Sequence, residues 1–173
     1  MAKRKEFKGL SHLTREQLAY MGCFIDTDGS VIAQIVRKKD YVYKFQIRVS
    51  LQFSQRTSRK HHLEKLCDEV GYGYVTSRNN MSDFVVTEAF IVGEFLPLLL
   101  PYIRMKKKQA NLVLKIIQEL PSAKGSKEKF IELCKMANQV SALNEPKKVL
   151  KNTWQVVQEE LLSVSEDDFS EDD

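Results

Sequence analysis

Residues 22–30 read GCFIDTDGS. An apolar run stops there on two acids, Asp26 and Asp28, one residue apart. Leu18, Met21, Gly22 and Ile25 recur at helical spacing ahead of them, and Thr14 with Gln17 three residues later forms a capping-box start. The pattern predicts a helix that Gly29 ends. The negative pole of the macrodipole collects at such an end, so each carboxylate there costs about 0.3–1 kcal/mol. A cation that offsets this cost is therefore expected. Gly22 in mid-helix costs up to about 1 kcal/mol against Ala, which hints at close approach by another backbone.

Which cation follows by elimination. A calcium loop counted from Asp26 needs an oxygen ligand at position 5, Gly at 6 and Glu at 12; this chain has Ser30, Val31 and Arg37. A simple helix stop and turn uses Gly29 and one Asp, but leaves the second acid unexplained. A hard divalent ion uses both, because Mg²⁺ takes few carboxylates and fills its shell with water and phosphate oxygens. Phosphodiester hydrolysis is the chemistry such an ion supports beside a basic surface.

The chain is basic where it matters. Residues 159–173 carry eight acids and no base, so the first 158 residues hold all 27 Lys and Arg against 15 acids, a net charge of +12. Such a body suits a polyanionic partner or a solvated surface. The ending SEDDFSEDD has too little apolar content to build a core, and the start MAKRKEFKG is basic without an apolar segment behind it. We read residues 1–162 as one domain and 163–173 as an acidic tail without fixed structure. The longest apolar run, AFIVGEFLPLLLPYI, is broken by Glu94, Pro97 and Pro101 and reads as a buried helix, so no membrane span is expected. Cys23, Cys67 and Cys134 are far apart, with no zinc-ligand spacing.

Strands follow the first helix. Residues 31–38 are β-branched and apolar. In FQIRVSLQF (45–53), Phe45, Ile47, Val49, Leu51 and Phe53 face one way, and Gln46, Arg48, Ser50 and Gln52 the other. The polar set holds no acid, and its side chains suit either solvent or the edges of bases. A helix is expected at 58–70, two short strands near 73–78 and 83–88 around RNNMS, and helices near 90–100, 106–120, 126–141 and 152–162. The order αββαββα plus C-terminal helices gives an α+β fold whose four-stranded antiparallel sheet has one face on helices and one open.

MGCFIDTDG resembles the motif that names the LAGLIDADG homing endonucleases, with Cys23 and Thr27 where the family has small residues. YKFQIRVSLQFSQRTSRKHHLEKLCDEVGYGYV and PYIRMKKKQANLVLKIIQELPSAK are similar to the single-motif type encoded by group I introns in green-algal chloroplasts. The similarity runs from about Tyr20 to Asn144. It implies a homodimer joined by two motif helices, with Leu18, Met21, Gly22 and Ile25 at the interface, and a long pseudo-palindromic double-stranded DNA target. It implies Mg²⁺ as cofactor, with Mn²⁺ able to substitute and Ca²⁺ supporting binding without cleavage. Cleavage would cross the minor groove and leave short 3′ overhangs.

The resemblance also implies roles for residues. Asp28 and the backbone carbonyl of Thr27 would bind metal, with Asp26 in support. Gln55, Arg59 and Lys106 would complete the catalytic set, Gln55 orienting a water, Arg59 and Lys106 steadying phosphate charge. Base-facing positions would be Ile32, Gln34, Val36, Lys38 and Tyr41; Gln46, Arg48, Ser50 and Gln52; and Thr76, Arg78, Asp83 and Val85. Lys124, Lys147, Lys148 and Lys151 would touch phosphates. His61 and His62 lie in a helix with no partner ligand and read as structural or DNA-backbone-contacting rather than catalytic. The implied compartment is the chloroplast or another organelle. An intron RNA maturase and a cleavage-deficient DNA-binding protein are rival functions on the same fold.

Overall fold

A computed structural model describes residues 6–145 and 148–163. Helix α1 (Arg15–Asp28) starts as its capping box demands: Thr14 Oγ1 accepts the Gln17 amide at 3.2 Å, and Gln17 Oε1 accepts the Thr14 amide at 2.9 Å. The helix runs through both acids, and strand β1 (Gly29–Arg37) begins at the next residue with no intervening turn. Gly29 has extended φ and ψ (−112°, 177°). Its lack of a side chain is required by space: a Cβ there would lie 2.6 Å from Ile25 Cα and 3.0 Å from the Gln52 carbonyl oxygen.

Strand β2 (Phe45–Arg56) pairs with β1, and the hairpin is closed by the loop at residues 38–44. A short 3-10 turn (Thr57–Arg59) leads to α2 (Lys60–Val70), then to β3 (Tyr74–Arg78) and β4 (Met81–Val86). Asn79 takes the positive φ of the tight turn between the last two strands. The sheet is antiparallel, in order β1-β2-β4-β3. Helices α3 (Ala89–Leu99), α4 (Lys107–Ala123), α5 (Lys127–Leu143) and α6 (Trp154–Ser163) complete the chain, so the expected α+β order is the observed one.

Alternation decides which face of the sheet is covered. Phe45, Ile47, Val49, Leu51 and Phe53 are all buried, as are Val31, Ala33, Ile35, Phe84 and Val86. The rings of Phe24 and Phe53 meet edge to face at 5.5 Å, and Phe53 stacks on Phe84 at 5.4 Å, which ties α1 to the middle of the sheet. The even-numbered side of β1 and β2 carries no helix. The outer edge of β1, an exposed ladder in most sheets, is sealed by side chains: Asn144 donates to the Val31 carbonyl (2.7 Å), Ser141 to Ala33 (3.3 Å) and Asn152 to Ile35 (3.2 Å). Among the described residues, no helix is long and apolar enough to cross a membrane.

Candidate functional site

The register of the sheet brings the end of α1 next to the end of β2. Gly29 opposes Phe53, which sets Asp28 at the end of β2, within side-chain reach of Gln55. Gln55 Nε2 donates to Asp28 Oδ2 at 3.0 Å, and Arg59 Nη1 donates to Gln55 Oε1 at 3.4 Å. Gln55 is therefore engaged at both ends, holding the exposed Asp28 carboxylate in place and joining it to the Arg59 cation. The 3-10 turn after β2 makes this possible, because it folds Arg59 back over the strand end.

Lys106, just before α4, reaches the same corner. Its Nζ donates to the carbonyls of Ile25 (2.8 Å) and Gly29, where α1 ends. A cation at the negative end of the macrodipole answers the question the two acids raise. Burial pulls the Lys106 pKa below its ordinary value, while Asp26 and Asp28 favour the charged form. Asp26 faces another way. Its carboxylate accepts the backbone amides of Arg104 (2.7 Å), Met105 (3.2 Å) and Lys106 (3.1 Å). Those amides precede α4, so Asp26 pins the loop that delivers Lys106, a supporting role in literal terms.

Two acids one residue apart thus do different work. Asp28 is exposed with oxygens available to a ligand; Asp26 is consumed by backbone. Among the described residues no group of three or more His, Cys, Asp or Glu is placed to hold a metal ion. The donor set at Asp28 is one carboxylate plus the carbonyls of the last helical turn, which lack in-helix amide partners. It suits a hard cation that keeps water and phosphate oxygens in its shell. The Thr27 hydroxyl bonds back to the carbonyls of Cys23 and Phe24, both at 3.3 Å, within its own helix.

The expected interface residues need correction. Leu18, Met21, Gly22 and Ile25 are buried inside the protomer, facing its own core. Gly22 is small because a Cβ would come within 2.5 Å of Tyr102 Cβ, in the turn after α3 of the same chain. Helical spacing located an apolar stripe, but a helix packed on a core has one such stripe already. The exposed stripe of α1 is Tyr20, Cys23 and Thr27.

The open sheet face gathers most of the predicted contact residues. Gln34 opposes Arg48, Ile32 opposes Ser50, and Val36 opposes Gln46 across β1 and β2. Gln34, Arg48, Thr76 and Arg78 are exposed; Ile32, Val36, Gln46, Ser50, Gln52 and Val85 are half-buried. Lys38 Nζ sits 4.7 Å from the Tyr41 ring centre in the hairpin loop. Asp83 departs from expectation: it is 9% exposed, and its carboxylate receives the Ser54 hydroxyl at 2.5 Å, which in turn receives Gln52 Nε2. It orients neighbours and presents little surface. Tyr74, Ser54 and Met81 share the open face and went unpredicted, although the parity of Thr76 and Arg78 points to Tyr74. Lys124, Lys148 and Lys151 are exposed, and Lys147 lies outside the described residues. His61 and His62 are exposed on α2, their ring centres 4.0 Å apart.

The family model for LAGLIDADG endonuclease matches residues 21–118. The chain is similar to DNA endonuclease I-CreI of Chlamydomonas reinhardtii, at 45% identity over 152 residues, covering 88% of this chain and 93% of the relative. It is 39% identical to DNA endonuclease I-CvuI of Chlorella vulgaris over 133 residues, 76% of this chain and 82% of the relative. The crystal structure of I-CvuI with its target in the presence of Ca superposes with a TM-score of 0.82 at 36% identity, covering 87% of this chain and 96% of that one. A second I-CvuI structure, with the I-CreI target in the presence of Mg and the DNA not cleaved, gives 0.81 at the same identity and coverage. With the motif helix, the sheet it enters and the relatives aligned over most of their length, the chain belongs to the LAGLIDADG endonuclease family.

Proposed function

We propose that this protein is a homodimeric, site-specific double-strand DNA endonuclease that hydrolyses phosphodiester bonds with a divalent metal, Mg²⁺ in the cell. The observation that carries the reading is the corner where Gln55 holds an exposed Asp28 between the Arg59 and Lys106 cations, at one end of an open, acid-poor strand face. Asp28 and the Thr27 carbonyl would hold the metal, which when bound supplies an activated water and steadies the leaving oxygen. The chain's own groups do the rest. Gln55 fixes the Asp28 rotamer, Arg59 approaches a phosphate from the strand side, and Lys106 from the α4 side. Side chains of the open face read base edges in the major groove, while Lys124, Lys148 and Lys151 on the flanks suit phosphates.

The dimer follows from incompleteness. At this corner one protomer offers a single exposed carboxylate, Asp28, and the exposed stripe of Tyr20, Cys23 and Thr27 on α1 leads to it. Pairing two such stripes about a two-fold axis would bring two Asp28 side chains together and match a pseudo-palindromic target. Organelle encoding, in a chloroplast, fits the green-algal relatives.

The test is selection of cleavable sites from a randomised duplex library, followed by assay of the selected site with Mg²⁺, with Ca²⁺ and with Asp28→Asn. Cutting in Mg²⁺ that Asp28→Asn abolishes while binding persists is the expected result. Binding without cutting supports a cleavage-deficient DNA-binding protein instead. Absence of duplex binding, with retention of intron RNA, supports a maturase.

A further inference from the structure

Beside the hairpin loop 38–44 lies an apolar groove of about 620 Å³, floored by Phe45 and Ile47 and walled by Phe90, Ile117, Leu120 and Phe130. Val42 is 79% exposed and Phe90 57% exposed at its rim. The β2 flank from Phe45 to Ser50 has no strand partner on the side where β4 pairs further along. Gln46, which also lines the groove, has its Oε1 buried with no hydrogen-bond partner. An apolar wall beside a strand flank without a strand partner describes a seat for an extended segment with an aromatic side chain.

The chain supplies one. The last described residue, Ser163 at the end of α6, lines a smaller cleft of about 300 Å³ with Val42, Tyr43, Lys44 and Lys127. Val42 and Tyr43 line both hollows, so the exit of the chain is continuous with the groove. Residues 164–173 read VSEDDFSEDD, six acids around a single aromatic, Phe169. Six residues span up to about 20 Å when extended, enough to carry Phe169 from Ser163 across the loop. Lys44, Lys124 and Lys127 border the path, opposite in charge to the acids that would pass them, and outnumber the acids on it, Asp40 and the Arg37-paired Glu160. The segment cannot build a core of its own, which leaves its aromatic ring in search of one.

We propose that residues 164–173 fold back within the same chain, placing Phe169 in this groove and the acids over Lys44, Lys124 and Lys127. Because Tyr41 and Gln46 line the groove and also belong to the reading face, the docked tail competes with DNA for one end of that face. The docking stands on the groove alone; the competition rests on the DNA-binding reading above.

The two parts are tested separately in the full chain. A photoreactive benzoylphenylalanine in place of Phe169, irradiated without DNA and mapped by mass spectrometry, is expected to cross-link to peptides holding Val42–Phe45, Phe90 or Ile117–Lys124. Cross-links to other regions, no cross-link, or cross-links that join differently isotope-labelled chains overturn the intramolecular docking. Phe169→Ser is then expected to tighten binding of a selected DNA site on the order of fivefold. Cross-links in the groove with unchanged DNA affinity refute the competition. Failure of either protein to bind any duplex refutes the DNA reading itself and leaves the cross-linking result intact.

Discussion

Replacing Gly29 with alanine puts a methyl group where the fold leaves no room for one. The new Cβ would lie 2.6 Å from Ile25 Cα, 3.0 Å from the Gln52 carbonyl oxygen and 3.1 Å from Ile25 Cδ1. Unstrained carbon contacts fall near ~3.5–4.0 Å, so the first overlap is about 1 Å. Two of the three atoms are backbone, and neither can swing aside as a side-chain tip would. Overpacking of this kind costs about 1–3 kcal/mol, and the upper half of that range applies here. The lost freedom of the unfolded chain returns about 0.4–1 kcal/mol, and no backbone strain is added because φ is −112°. The net expectation is a loss of about 2 kcal/mol, or about 4–8 °C in Tm for a chain of this length.

Urea denaturation should show a lower midpoint with an unchanged slope. Ile25→Val sharpens the test. It removes only the Cδ1 contact, so it should add its own cost of about 0.5–1.5 kcal/mol without relieving the alanine. Recovery in the double variant would mean that the flexible tip, and not the backbone, excluded the methyl. Wild-type stability in Gly29→Ala would refute the reasoning outright. Cleavage should fall further than stability accounts for, since relaxation at Gly29 moves the carbonyl that Lys106 holds and the Asp28 carboxylate beside it.

Asp28→Asn should abolish cleavage while changing stability by less than about 1 kcal/mol, because relief at the negative end of the α1 dipole is offset by lost attraction to Lys106; a larger shift of the unfolding midpoint in either direction would contradict this offset. Asp26→Asn should cost about 1–2 kcal/mol by weakening three backbone amide contacts, and should slow cleavage while DNA affinity holds. The folded pKa of Lys106 is below its ordinary 10.5, so the unfolded chain binds more protons in the interval between the two. Stability should therefore rise with pH across that interval relative to Lys106→Met, and parallel pH profiles for the two proteins would contradict the burial of the ammonium. Cys23→Glu should convert the proposed dimer to monomer in sedimentation with little change in protomer fold, because Cys23 is exposed on α1; a retained dimer would move the interface elsewhere.

How far these expectations were legible beforehand depended on the reach of each interaction. The β2 alternation and the α1 capping box are local, and both stood in the structure as the residues implied. Proximity of Gln55 and Arg59 was also local, four residues apart across a strand end. Asp26 reads as an acid without a partner, since the amides it binds lie 78 to 80 residues away. Gly22 was misplaced for a related reason. A small residue in a helix announces close approach without naming the neighbour, and here the neighbour is Tyr102 of the same chain. The consequence reaches the proposed dimer: if α1 spends its apolar stripe on its own core, the contacts between protomers would come from the other side. There the chain carries Tyr20, Cys23 and Thr27, larger than the glycines that permit the closest helix crossings. In the proposed dimer, the spacing between two Asp28 carboxylates would then be set by a thiol and a methyl, so Cys23 and Thr27 would tune the proposed metal site from residues that need not touch the metal with their side chains.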